Sequence, residues 1–347
     1  MRTESFGGLR DAQVLVAGMF SDTSPRRRAA EDMVRGMNEA GFRPQLFDLA
    51  ANRGLPLTIA VPNACLEQEL AELDITEVII VAPPALTRAA ATLMRDQLSG
   101  TQRLVAFWNG PLDEPAITLQ EAASGLDTIW TPTACLFEIV LAALPEFAGT
   151  IDIVAPRRLT PPAPAEDRAT CRARLGLPNS AFVVGAELTL NDELEGQNPT
   201  GILAAFMEAF DDEPNAFLVL HCECSEAFGE EFAALSRAAA HPRIRPINTR
   251  LHYLPCASLL CASDVWIALP RDAADRAGVD DALGAGLPVI TCARGLPAGR
   301  WRHPALHPVS YARATNVGKA EWVTPDIAHA ATLLRDLCSR AARAVVA

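Results

Sequence analysis

Residues 267–291, IALPRDAADRAGVDDALGAGLPVIT, open on the end of an apolar strand, pass through a polar loop into a helix of small residues and finish on a second strand. A strand, a helical crossover and another strand form the repeating unit of a parallel sheet. The loop is the unusual part. Asp272, Asp275, Asp280 and Asp281 gather there with Arg271 and Arg276, at the place where ligands meet the carboxyl ends of strands in an open parallel sheet.

The same alternation extends in both directions. Toward the N-terminus, QVLVAGMF (13–20), RPQLFDL (43–49), EVIIVAPP (77–84), RLVAFWNG (103–110), DTIWTP (127–132) and TIDIVAP (150–156) read as strands. Between them PRRRAAEDMVRGMNEAG (25–41), RAAATLMRDQL (88–98) and ACLFEIVLAAL (134–144) read as helices, the first opened by Pro25 and closed by Gly41. Strands this continuously apolar are covered on both faces, which implies parallel sheets with helical crossovers.

Prolines at 156, 161, 162, 164 and 178 then interrupt the pattern, and such a segment reads as an ordered connector. Beyond it the alternation restarts. AFVVGAEL (181–188), AFLVLHC (216–222), RIRPIN (243–248), DVWIAL (264–269) and PVITCA (288–293) are strands. NPTGILAAFMEAF (198–210), EEFAALSRAAA (230–240), YLPCASLLCAS (253–263) and DDALGAG (280–286) are helices, and residues 326–346 form a long amphipathic terminal helix.

The fold expected is α/β. Two doubly wound Rossmann-like domains carry parallel sheets facing a cleft, where ligands of such sheets bind. The boundaries are an N-terminal domain over 1–155, a connector over 156–170, a C-terminal domain over 171–325 and a final helix over 326–347 packing back across the domain junction. A chain of 347 residues exceeds what one core usually organises, in agreement with two domains.

Composition narrows the function. A formal charge of −12 excludes nucleic acid as a partner, because such binders gather cations to displace counterions from phosphates. The basic run PRRRAAEDMVRGM reads as a solvated helix face, with an anion or a membrane surface as the other reading. Nine cysteines show no repeated spacing, and the Cys222-Glu-Cys224 pair beside His221 lacks the second ligand pair that zinc needs, so no metal is expected. No apolar leader and no run of eighteen apolar residues is evident. The expectation is a cytoplasmic protein with reduced thiols, with peripheral contact at the inner face of a membrane left open.

The second half resembles the nucleotide-binding domain of family 4 glycosyltransferases. The resemblance rests on CRARLGLPNSAFVV, QNPTGILAAFMEAFDDEPNAFLVL, CASDVWIAL and DALGAGLPVIT in that order and spacing. The first half is similar to the acceptor domain of bacterial polysaccharide members through VAFWNGPLDEP and LDTIWTPTACLFEIVLAAL. The resemblance implies a GT-B fold and transfer of a sugar from a nucleotide-diphosphate donor to a hydroxyl of a glycan acceptor. It also implies retention of anomeric configuration, with no metal and no cofactor.

The family's site elements map onto this chain unevenly. The second glutamate of its Glu-x7-Glu element, which meets the ribose, matches Asp281; the first matches Ala273, with Asp272 as the neighbouring substitute. The basic pair before Asn198-Pro199 is replaced by Gly196 and Gln197. Residues 274–277, ADRA, stand in place of glycines. Arg271 and Arg276 are the cations left for the diphosphate, unless they pair with Asp272, Asp275 and Asp280 at the surface. The resemblance thus assigns Arg271 and Asp272 to catalysis, and Asp281, Gln197, Asn198, Arg276 and Thr189 to the donor nucleotide.

On the acceptor side the candidates are Gly18, Ser21, Thr23, Trp108, Asn109 and Thr133. Each has a plainer reading: a helix N-cap by Ser24 accounts for the first three, and strand-end tryptophans commonly fill cores. Neither a G-x-S-x-G nor a G-x-G-x-x-G motif is present, and the histidines at 221, 241, 252, 303 and 307 show no spacing to a nucleophile. Two functions remain: an active sugar transferase with a remodelled donor site, or a relative that keeps the fold, has lost catalysis and serves as partner or scaffold to another protein.

Overall fold

The computed structural model describes residues 6, 9, 13–20, 25–50, 74–98, 100–110, 112, 116–155, 166–190, 194–224, 229–248, 256–272, 277–292, 296, 300–313 and 322–346. The chain divides into two compact units. One spans residues 1–158 with 295–298, the other 159–294 with 299–347.

Unit 1 runs β1 (Val14–Gly18), α1 (Pro25–Glu39), β2 (Gln45–Asp48), β3 (Glu77–Val81), α2 (Pro84–Gln97), β4 (Arg103–Phe107), α3 (Ala116–Ala123), β5 (Thr128–Thr131), α4 (Ala134–Ala143) and β6 (Thr150–Ile153). Its six strands are all parallel, in the order β2-β1-β3-β4-β5-β6. Parallel neighbours cannot be joined by tight turns, and α1 to α4 lie in the crossovers of the described residues. Leu15, Val16, Ile79, Val105 and Ile129 are wholly buried as a result. Pro84 opens α2 at the position where a missing N–H costs nothing. Thr133 caps α4 by accepting from the Leu136 amide at 3.1 Å.

Unit 2 begins with α5 (Arg168–Arg174) and continues through β7 (Phe182–Leu190), α6 (Leu194–Gln197), α7 (Pro199–Phe210), β8 (Ala216–Cys224), α8 (Gly229–Ala238), β9 (Ile244–Asn248) and α9 (Cys256–Ala262). It ends with β10 (Val265–Ala268), α10 (Ala277–Gly284), β11 (Val289–Cys292), β12 (Leu306–Val309), β13 (Tyr311–Arg313), β14 (Val323–Pro325) and α11 (Ile327–Val346). Its main sheet is again parallel, ordered β9-β8-β7-β10-β11-β12. β13 and β14 pair apart from it as an antiparallel ribbon.

One face of that sheet buries Val184, Ala186, Leu188 and Leu218 against Ile202 and Phe206 of α7 and Ala330 and Leu334 of α11. The C-terminal helix thus contributes to the core of unit 2. Both units are Rossmann-like parallel-sheet layers, and each sheet reverses its winding once: between β1 and β3 in unit 1, between β7 and β10 in unit 2.

Candidate functional site

A reversal of winding opens a crevice between adjacent crossovers, so ligands of open parallel sheets bind beyond the carboxyl ends of the two strands that flank it. In unit 2 these ends are Glu187–Leu190 of β7 and Ala268–Asp272 following β10. Of the sequence-predicted donor and catalytic residues, Thr189, Gln197, Asn198, Arg271 and Asp272 lie there.

Asn198 has left-handed backbone dihedrals, φ 56° and ψ 55°, and caps α7 by accepting from the Gly201 amide at 3.2 Å. Its amide donates to the Leu269 carbonyl at 3.1 Å and its side chain is buried. It thereby ties the start of α7 to the end of β10. Gln197 accepts from the Thr189 amide at 2.8 Å and donates to the Thr189 carbonyl at 2.6 Å. Both ends of its side-chain amide serve the backbone beyond the β7 midpoint, so Thr189, Gln197 and Asn198 form the frame of the crevice.

Arg271 is held at both backbone groups. Its amide donates to the Gly196 carbonyl and its carbonyl accepts from the Val323 amide, each at 2.8 Å. The guanidinium is held more loosely: its approach to Glu195 is 3.9 Å, and a third of the side chain is exposed. An ion pair of that length and exposure is worth little, so this cation can turn toward an anion at small cost. Asp272 is buried against the α-carbon of Gly196, where a methyl group would overlap its Oδ2. Glycine at 196 is therefore a packing requirement, and the carboxylate fills the volume that a basic side chain needs.

Gly196→Ala is expected to cost about 1–3 kcal/mol through overpacking. The cost should shrink by at least about 0.5 kcal/mol in an Asp272→Ala background, because contacting residues couple. A double-mutant cycle by urea unfolding checks this; additive effects would show that the two residues do not share that space.

Asp280, in the first turn of α10, and Asp281, the residue after it, are both buried. Asp280 accepts from Arg300 Nε at 3.0 Å, an ion pair with the carboxylate side chain 2% exposed. Asp280 is thus paired with Arg300, whereas the ion pair described for Arg271 is with Glu195. Arg276, Asp275 and Ala273 lie outside the described residues.

Two residues at the crevice escaped sequence reasoning. Glu187, on β7, lies in register with His221 on β8, and Glu187 Oε1 is 4.0 Å from His221 Nδ1. Both are largely buried, and the Glu187 carboxylate rests on the α-carbon of Gly278 in the first turn of α10. The available signal was a charged residue inside an otherwise apolar strand, AFVVGAELTL. Arg300 carried no signal, since nothing local to residue 300 points to Asp280.

In unit 1, Gly18 ends β1, its carbonyl accepts from the Leu49 amide at 2.8 Å, and its α-carbon faces Ala30 so closely that a methyl group could not be added. Trp108 is wholly buried; its indole N–H donates to Thr87 Oγ1 at 3.0 Å and its backbone amide to the Trp130 carbonyl at 2.9 Å. Thr133 is buried as the α4 cap. Asn109 is half-buried just past β4. Ser21 and Thr23 lie outside the described residues.

Among the described residues, no group of three or more His, Cys, Asp or Glu side chains is placed to hold a metal ion. Cys222 is buried with its Sγ 3.6 Å from the Leu220 carbonyl. Burial drives the Cys292 thiol up to about 12, which keeps it protonated and inert as a ligand. No described helix is long and apolar enough to cross a membrane.

No protein-family model matches the sequence, and no curated protein matches it. Solved structures do match in shape. HepE of Anabaena in complex with UDP superposes with a TM-score of 0.56 at 14% identity, covering 82% of this chain and 81% of that one. The same protein in complex with UDP-glucose gives 0.55 at 14% identity, with coverage of 82% and 81%. Sucrose-phosphate synthase of Thermosynechococcus elongatus gives 0.56 at 13% identity, covering 82% of each chain. At such low identity the similarity establishes the fold: two Rossmann-like parallel-sheet domains of the GT-B type.

Proposed function

We propose that this protein binds a nucleotide-diphosphate sugar at the winding reversal between β7 and β10 and transfers the sugar to a hydroxyl of a glycan acceptor. The observation that supports the reading is that Thr189, Gln197, Asn198, Arg271 and Asp272 lie together at the carboxyl ends of β7 and β10, within a fold shared with HepE structures that contain UDP and UDP-glucose. Arg271 serves as the cation for the departing diphosphate, since both of its backbone groups are fixed while its guanidinium is loosely held. Asp281 takes the ribose, and Asp272 stands at the position next to the family's first glutamate. On this reading charge stabilisation comes from Arg271 and backbone amides, and transfer is metal-independent and retaining.

A specific observation favours the second reading, a family relative that has lost catalysis and serves a partner protein. Asp272 against Gly196 and Glu187 against Gly278 place two buried carboxylates beside the crevice, and like charge disfavours a diphosphate there.

Calorimetric titration with UDP, GDP and their sugar conjugates separates the two. The transferase reading expects saturable binding to one of them, weakened about ten- to a hundredfold by Arg271→Ala, the worth of a charge-assisted hydrogen bond. Asp281→Asn should weaken it as well. Heat changes indistinguishable from dilution across the whole panel would leave only the second reading.

A further inference from the structure

Two thiols outside the crevice share one acceptor. Cys171, wholly buried in α5, and Cys261, half-buried in α9, sit with their Sγ atoms 3.8 and 3.7 Å from the same carbonyl, that of Glu166. α5 and α9 pack together, and the contact is made firm by Arg172 of α5, which donates to the Ala262 carbonyl at 3.0 Å and to Asp264 at 2.7 Å. Two sulfurs held within 3.8 Å of one carbonyl oxygen, on helices that pack together, are brought into the neighbourhood from which a disulfide can close.

We propose that Cys171 and Cys261 form a reversible disulfide when the protein meets a low-molecular-weight disulfide such as oxidised glutathione. The half-exposed Cys261 thiolate attacks one sulfur of the oxidant, forming a mixed disulfide and releasing one small thiolate, which takes up a proton. Cys171 then loses its proton and attacks Cys261 Sγ. The bond to the small molecule breaks and a second small thiol leaves. Two protein thiols are oxidised and one small disulfide is reduced to two thiols.

The bridge has a local consequence. Both S–H donors to the Glu166 carbonyl disappear, so the chain entering α5 loses those two holds, and the Glu166 carboxylate keeps its 2.8 Å pair with Arg174. At the same time α5 becomes covalently joined to α9, the helix that leads into β10. Burial first, and the neighbouring Cys261 second, push the Cys171 thiol above its ordinary range. Bridge closure should therefore accelerate with pH, about tenfold per unit through the neutral range, because the thiolate is the attacking species.

The full chain, reduced and then exposed to oxidised glutathione, is thiol-blocked and digested without reductant for mass mapping. The expected product is a linked peptide pair containing Cys171 and Cys261, absent in Cys261→Ser and reversed by dithiothreitol. Oxidation should raise the urea midpoint of the wild type and leave that of Cys261→Ser unmoved. A stable glutathione adduct on Cys261 with Cys171 still alkylatable would overturn the proposal, as would both thiols remaining unmodified after prolonged exposure.

Discussion

Replacing Asp264 with alanine is expected to cost about 3–5 kcal/mol of unfolding free energy, the penalty for leaving a buried charge without its counterion. Asp264 precedes β10, and its carboxylate accepts from Arg172 Nη2 and from the Val183 amide, both at 2.7 Å, while Arg168 pairs with its other oxygen. Arg172 is the vulnerable partner. Its side chain is 4% exposed, and its remaining bonds, to the carbonyls of Ala262 and Asn179, bring no negative charge. Removing Asp264 also orphans the amide that starts the pairing of β7 with β10. Since whole domains are stable by only about 5–15 kcal/mol, the variant should unfold at a much lower urea concentration. Arg168→Ala is the control: that side chain is nearly half exposed, and its loss should cost less than about 1 kcal/mol. Equal effects of the two substitutions would contradict the assignment of Arg172 as the buried member.

Trp108→Ala is expected to destabilise by about 3–5 kcal/mol, the cost of a cavity left by a large core side chain. The resemblance places Trp108 among acceptor contacts, whereas the structure buries the whole ring and directs its N–H to Thr87, whose hydroxyl in turn donates to the Pro83 carbonyl at 3.0 Å. The chain of bonds links the end of β4 to the first turn of α2. Trp108→Phe keeps most of the volume and should cost about 1–2 kcal/mol, roughly the lost hydrogen bond plus a smaller void. A role at the acceptor would give the opposite pattern: an unchanged unfolding midpoint in Trp108→Phe and a raised KM for the acceptor.

The elements that sequence reading missed share a physical cause. β12 contains Pro308, and a proline in a short segment argues against a strand, yet β12 is the edge of the sheet, where a missing ladder donor is tolerated. β13 and β14 span three residues each, too short for any alternation to register. α3 was likewise invisible, because AITLQEAA has two turns and no capping signature. In the crevice, the sequence marked Gly196 and Gln197 as lost cations. It gave no means of seeing that Asp272 occupies the space beside the first or that Thr189 consumes the amide of the second.

The order of apolar runs and amphipathic stretches was enough to determine two parallel-sheet units joined by a proline-rich segment, because strand and helix periodicities are written within a few residues of each other. Only the tertiary structure decided which polar groups of residues 187–198 and 268–300 remain for a ligand. Those groups are claimed by partners distant in the chain: Asn198 by Leu269, Arg271 by Gly196 and Val323, and Asp280 by Arg300. Such pairings follow from how crossovers return strands to adjacent positions, which local patterning leaves unspecified.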